Sequence, residues 1–454
     1  MTGQNSFANG ANATATGASS VANGDSATAT GANSNATGQL ATATGANSFA
    51  NGAAATATGV NSVANGDSAT ATGVGSFANG AGATATGEGS FANGDRATAT
   101  GSSSLANGQL ATATGQDSTA NGTAATATGQ TSTANGNNAT ATGANSFAQG
   151  DSATATGAGS FANGANATAT GASSVANGNS ATATGVGSLA SGLAATATGA
   201  QSFANGRLAT ATGAGSFANG TNATATGVNS FANGSLATAT GQNSFANGST
   251  ASAYGQGSVA NGAGATAIGQ ASVAGAGATA IGQGAQATFA NSTAIGAGAT
   301  TTAINQVALG TATNTDRLAG LTSAASLAAQ SGPVSLVTTD AAGHLATVSL
   351  GSMMTDLSGL QSSIGSLQSS IGTLQTQVKQ AFEGTAIAIA TAGTQLPSDK
   401  TFAISANYGY FRGENAVSLG AALRLTDWAV ASFAVGGGVQ QHGYGGRAGL
   451  TLAW

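Results

Sequence analysis

His344 and His442 are the only histidines in a chain of 454 residues. Histidine is the side chain that ordinarily titrates near neutral pH, so these two are the first candidates for acid–base or metal chemistry. They lie far apart in sequence, each close to Gly in a turn-like setting, and nothing pairs them. There is no Cys, which removes disulfides and thiolate metal sites. Asp25, Asp67 and Asp151 stand in Gly-Asp-Ser turns. They lack the dense set of oxygen ligands that Ca²⁺ requires and read as solubilising turn residues. Asn-Ala-Thr triplets such as Asn12 to Thr14 match a glycosylation acceptor, but the repeat generates them automatically. No nucleophile–base set and no phosphate-binding loop stands out. The residues predict no enzyme, no cofactor and no metal.

Composition sets the next bounds. Charged residues make up 5% of the chain, against about 25% in ordinary soluble domains. There are 73 Gly and 2 Pro, and large aliphatic residues are scarce, so no single compact core is expected. The net charge of −5 is spread thinly, and no basic patch offers a footprint for nucleic acid. The absence of Cys suits an exported bacterial protein. No run of 18 apolar residues predicts a membrane-spanning helix. Residues 1–10, MTGQNSFANG, enter the repeat at once and lack the charged and apolar regions of a secretory signal. Export would require such a signal, so the chain is expected to begin inside a longer protein or at a misplaced start.

The strongest pattern is a Gly every seven residues from Gly3 to Gly269. The two halves differ, so the period is 14, as in GANSFAN-GAAATAT at Gly45 to Thr58. A fixed period of this kind signals a solenoid and argues against low-complexity disorder. S-F-A-N and A-T-A-T each alternate, placing one set of side chains inside and the other outside. The Gly and two variable residues after each run fit a tight turn. So short a coil encloses little volume. Ser48, Ala50, Ala55 and Ala57 must point inward, and Phe49, Asn51, Thr56 and Thr58 outward.

Two outer faces follow. One carries an apolar stripe that includes Phe49, Phe77, Phe91, Phe147, Phe161, Phe203, Phe217, Phe231 and Phe245, interrupted by Asn35, Thr119 and Thr133. An exposed stripe of this length predicts self-association with rotational symmetry. The other face carries paired Thr, such as Thr56, Thr58, Thr70 and Thr72, and is predicted to form a solvent-exposed ladder. Near Gly275 one residue is lost and the text becomes ATAIG and STAIG.

Downstream the period changes. Residues 334–350 read as a hairpin around Asp340 to Gly343. Leu357, Leu360, Ile364, Leu367, Ile371, Leu374, Val378 and Ala381 follow the 3-4 spacing of a coiled coil. Ile at a with Leu at d leans towards two strands, so this seam alone does not predict a trimer. Residues 401–454 divide into alternating segments near 401–411, 415–425, 428–439 and 444–454. Each has about the 9–11 residues of a membrane strand. Val417, Leu419, Ala421, Leu423 and Leu425 form one face of the second. Tyr408, Tyr410, Trp428, Tyr444 and Trp454 are candidates for interfacial girdles. Four strands cannot close a barrel, since about eight are needed; three copies supply twelve.

The units SFANGxxATATG and STAIGAGATTTAINQVALG, the latter at 292–310, resemble the head and neck of YadA-like trimeric autotransporter adhesins. The resemblance covers nearly the whole chain in the family's domain order, with Asn standing where the family often has Ile. It implies a mainly β protein. The head is a trimeric left-handed parallel β-roll of 14-residue repeats (1–296). A neck (297–318) contains Asn305, Gln306, Val307, Ala308, Leu309 and Gly310. A connector (319–352) and a coiled-coil stalk (353–381) lead to a trimeric twelve-stranded outer-membrane barrel (382–454). Residues near 381–396 would be its lumenal helical segment. The implied interface comprises the Phe stripe and Leu360, Ile364, Leu367, Ile371 and Leu374. The implied partners are two further copies, outer-membrane lipid, the barrel-assembly machinery and an extracellular-matrix or cell-surface ligand such as collagen or fibronectin.

The functional expectation is a cell-surface adhesin that moves its passenger through its own barrel. At ~4.8 Å per coil its head would be about 90 Å long. Two other readings fit parts of the sequence. The Thr-Ala-Thr rows suit an ice-binding solenoid, and the repeats with the coil suit a purely structural or phage fibre.

Overall fold

A computed structural model describes residues 1–454. The chain forms two compact units, Met1–Arg317 and Leu318–Trp454.

In the first unit each coil contributes one two-residue strand, such as Phe49–Ala50, and one three-residue strand, such as Thr56–Thr58. Each strand pairs in parallel with its equivalent in the next coil: Phe49 faces Val63, and Thr56 faces Thr70. The short strands build one sheet of 21 and the longer ones a second of 22. Ser48, Ala50, Ala55 and Ala57 are completely buried. The roll is therefore too thin for anything but Ala and Ser at its centre. Ser is tolerated because it satisfies itself: Ser48 Oγ donates to the Gly45 carbonyl at 2.9 Å.

The glycines open the tight turns that the sequence suggested, the Ala55 amide donating to the Gly52 carbonyl at 3.1 Å, and they do a second job besides. The left-handed corner is taken by the second residue after each Gly, Asn47 at φ 56° and Ala54 at φ 55°. The Gly is needed for stacking as well, and alternate ones hold a positive φ, 130° at Gly45 and 137° at Gly59. A Cβ on Gly52 would overlap the Gly66 carbonyl, and one on Gly59 would overlap that of Gly73. The coils touch backbone to backbone at the Gly that recurs every seven residues, and this fixes the period. The lost residue near Gly275 appears as a 13-residue coil, in which Thr266 pairs with Thr279 and Val273 with Gln286. Val307–Leu309 pairs with Thr293–Ile295, so the ladder runs on past residue 296 with no break.

The second unit opens with a 3₁₀ turn, Ala319–Thr322, and a short helix, Ala324–Ala329, neither of which the sequence signalled. Ser323 caps that helix by accepting from the Ser326 amide at 3.0 Å. The hairpin is present, Ser335–Thr339 against Leu345–Ser349. A single helix then runs 41 residues, from Leu350 to Ala390. It has no break at 381, where stalk was expected to give way to anchor, and it stops short of 396. Gly359, Gly365 and Gly372 lie inside it.

Four antiparallel strands follow: Phe402–Phe411, Glu414–Thr426, Ala429–Gly438 and Tyr444–Leu452. They pair in sequence order, and the helix end packs on one face of the sheet. No helix of the chain is long and apolar enough to cross a membrane, which says nothing of crossing by strands.

Candidate functional site

The head offers two unlike faces. On the short-strand sheet the Phe residues stack where they are consecutive. Ring centroids are 4.8 Å apart for Phe77–Phe91 and 4.9 Å for Phe147–Phe161. They are 4.6, 5.0 and 4.8 Å apart along Phe203, Phe217, Phe231 and Phe245. Phe49 has Asn35 and Val63 as its coil neighbours and stays unstacked. Beside this column runs a ladder of side-chain amides. Asn51 Nδ2 donates to Asn65 Oδ1 at 2.8 Å, and the same link recurs from Asn65 through Asn135 at 2.8 to 2.9 Å. The sequence placed these Asn outside but did not show that they bond to one another. Their 14-residue recurrence was the available signal.

On the longer-strand sheet Thr58 and Thr72 are exposed, while Thr56 and Thr70 are half-buried. Register is unbroken from Thr14 to Thr240. Towards the neck this face turns apolar. Tyr254, Ile268, Ile281, Ile295 and Leu309 stack in one exposed column. Over the same stretch the Phe column ends in Val259, Val273 and Gln286. The apolar stripe thus changes sheets.

The residues expected to form a neck sit at the end of this ladder. Gln306 Oε1 accepts from the amides of Thr302 at 2.6 Å and Ala303 at 3.2 Å. Asn305 at φ 55° and Gly310 at φ 66° turn the chain on either side of Val307, Ala308 and Leu309.

The polar candidates are committed to structure. Asp25, Asp67 and Asp151 each accept the backbone amide of the preceding coil's turn at 2.9 Å, from Ala11, Ala53 and Asn137. His344 Nδ1 lies 2.9 Å from Asp340 Oδ2, while Asp340 Oδ1 takes the amides of Ala342 and His344. These bonds from His344, the side-chain one first, hold the exposed Asp340 carboxyl below its ordinary value of 3.8. His442 sits in another turn, at φ 61°.

In the second unit Leu360, Ile364, Leu367, Ile371 and Leu374 form an exposed apolar edge on the long helix. The four-stranded sheet has two sharply different faces. Ile404, Tyr408, Tyr410, Val417, Leu419, Leu423, Phe433, Val435, Leu450 and Leu452 point away from the helix and are exposed. Ala421 belongs to the same face but is covered, because Ile404 and Phe433 flank it across the ladder. Tyr408, Tyr410 and Tyr444 mark one end of this band. Trp428 and Trp454 mark the other, where the Ala453 amide donates to the Trp428 carbonyl at 2.9 Å.

The opposite face is small and polar, and it holds the helix end. Ala386, Ile387 and Ala390 are buried against it. Ser418 Oγ donates to the Ala390 carbonyl at 2.7 Å. Thr394 and Ser405 hydroxyls meet at 2.7 Å. A side chain on Gly409 would overlap the Ala386 carbonyl.

At the tyrosine end the helix is gripped twice. Phe382 meets Phe411 edge-to-face at 5.7 Å, with the Arg412 guanidinium 5.5 Å from the Phe382 ring. Glu383, 1% exposed, accepts the amides of Gln440, Gln441 and Gly443 at 2.9, 2.6 and 2.8 Å. Sequence reasoning missed Glu383. A lone acid in a run of Ala, Ile, Thr and Gly was the signal it left.

A parallel solenoid of small-residue coils, followed in sequence by a long helix with an exposed apolar edge and a sheet that is apolar outside and small inside, is the build of a surface fibre carried on an outer-membrane anchor. Residues 394–454 match the YadA-like membrane anchor domain. The YadA head domain repeat matches many times between residues 2 and 299. The chain belongs to the YadA-like trimeric autotransporter adhesins, a family of outer-membrane-anchored proteins with a surface-exposed passenger. No curated protein matches the chain.

Proposed function

We propose that three copies of the chain close their four-stranded sheets into one twelve-stranded barrel, pass their own heads outward through it, and present the heads as a multivalent adhesive surface. The observation that carries this reading is the sheet of the second unit. Its outward face is apolar between two aromatic ends, and its inward face is small enough to admit a helix. Four strands leave two open edges, which neighbouring copies would satisfy. In the head, the Phe column and the apolar column that replaces it near the neck are the surfaces three chains would bury. The Thr face and the coil corners would remain for the ligand. Identical weak contacts repeated along three chains give avidity without any single strong site. An extracellular-matrix or cell-surface ligand, reached after insertion by the barrel-assembly machinery, fits this arrangement. The test is binding of cells displaying heads of different repeat number to matrix-coated surfaces. Retention should rise with the number of coils, and retention independent of coil number would contradict the reading.

The Thr face supports a second reading, ice binding, on one observation. Its two Thr columns keep perfect register from Thr14 to Thr240. Thermal hysteresis in a solution of the displayed head would favour it, and its absence would remove it.

A further inference from the structure

The carboxylate of Glu383 is the one charged side chain that the second unit buries completely, and adhesion makes no use of it. Both oxygens are occupied. Oε1 accepts from Gln440 and Gln441, and Oε2 accepts from Gly443. The turn that supplies these amides, between the third and fourth anchor strands, bends through the positive φ of His442 and makes a concave nest of N–H groups. It is shaped to this one side chain. A Cβ on Gly438 would overlap the Glu383 carboxyl, and one on Gly443 would come within 3.0 Å of Oε2. Gln440 also ties this turn to the one between the first and second strands: its Oε1 accepts from the Asn415 amide at 2.8 Å, and its Nε2 donates to the Gly413 carbonyl at 3.3 Å.

Both turns lie at the end of the sheet where the long helix arrives. Beyond Ala390 the chain runs to the opposite end, where the first strand begins at Phe402. The sequence leaves the nest little else to capture. Between Asp356 and Glu383 there is no other carboxylate, and none follows before Asp399.

We infer that Glu383 is a positioning residue of the export step: its capture by the turn amides stops the chain at a fixed depth and holds the helix in the pore as its plug. This rests on the barrel reading above. Export moves everything N-terminal to Glu383 past the outer mouth. When residue 383 reaches the two linked turns, three charge-assisted hydrogen bonds form, which no other residue between Asp356 and Asp399 can supply. Phe382 docks on Phe411 beside it. Three such captures, one per chain, seat three helix ends in one lumen.

The test uses the full-length protein purified from outer membranes and placed in planar lipid bilayers. Ion current is recorded for wild type, E383A, E383Q and, as a charge control on the exposed part of the helix, D356N. Surface exposure of the head and the heat-stable trimer are scored on the same preparations. Wild type and D356N should be closed. E383A should export its head and remain trimeric, yet show open-channel current roughly tenfold or more above wild type, since losing even one charge-assisted acceptor shifts a held–released equilibrium by about that factor. E383Q keeps the shape, faces an amide group toward the Gly443 N–H, and should leak to an intermediate degree. E383A and E383Q variants that are exported, trimeric and as tightly closed as wild type would overturn the inference. Should E383A fail to assemble, E383Q alone decides by the same criterion. A wild type that forms no heat-dissociable trimer would overturn the barrel reading instead, a separate result.

Discussion

At the scale of single residues, the head is governed by what cannot be added to it. Gly59 lies at φ 137° with the Gly73 carbonyl against the place a Cβ would occupy. Gly59→Ala should therefore destabilise its coil by roughly 2–4 kcal/mol through backbone strain and overlap together. Hydrogen exchange of the assembled protein should show faster exchange in the coils around residue 59 and little change twenty or more residues away, because each coil contacts only its neighbours. Gly409 makes the same argument in the anchor. Gly409→Val would drive a side chain into the Ala386 carbonyl, and the measure is a fall in heat-stable trimer and in surface-exposed head. The Asp340–His344 pair predicts a pH effect. Its carboxyl is depressed in the folded hairpin, so the stabilisation is present above the ordinary value of 3.8 and is lost as pH falls below it. Protection of the Ala342 and His344 amides, taken relative to their intrinsic exchange at each pH, should fall in that acid window and hold above it. Residue identities at this scale were only partly readable in sequence. Alternation placed Ser48 and Ala50 inside, because the period is two. It gave no sign that Ser48 bonds its own turn or that Asp25 bonds the coil before it, since both depend on which atoms the stacked backbones leave facing each other.

Among the elements, the Phe column is the one with an energy to measure. Phe203, Phe217, Phe231 and Phe245 form a continuous stack. If that column is buried between chains, Phe217→Ala loses roughly 1.5–3 kcal/mol per chain. If it faces water, the loss stays within about 0.5 kcal/mol. Thermal unfolding of the head in the assembled protein separates the two. The long helix offers a gain in place of a loss. Gly365 and Gly372 have nothing within 4 Å of a built Cβ, so G365A/G372A should raise helix stability by about 1 kcal/mol per site. Strand positions in the anchor were legible to within two residues, because the lipid-facing alternation is strict. The helix boundary was not. The heptads stop near Ala381, but backbone hydrogen bonding continues to Ala390, where packing against the sheet takes over from the heptad pattern. The short helix at Ala324–Ala329 left no signal because six residues with no charged flanks carry no period.

For the whole molecule, the solenoid and the anchor are two solutions to one shortage. A chain with 5% charge and few large aliphatic residues gains little from a private core. Its head buries Ala and Ser within coils and leaves its Phe on the surface. Its anchor leaves one sheet face apolar and two edges unpaired. On the proposed reading, copies of the same chain and lipid complete both. The repeat, the heptads and the four closing strands made the domain order visible in sequence. What stayed hidden was the joint between parts, above all the burial of Glu383, which exists only once the helix meets the sheet. The most direct test of the account is the mass of the full chain extracted from outer membranes in detergent, before and after strong heating. The account predicts the mass of three chains, falling to one on heating. A single chain that stays soluble without detergent would contradict it.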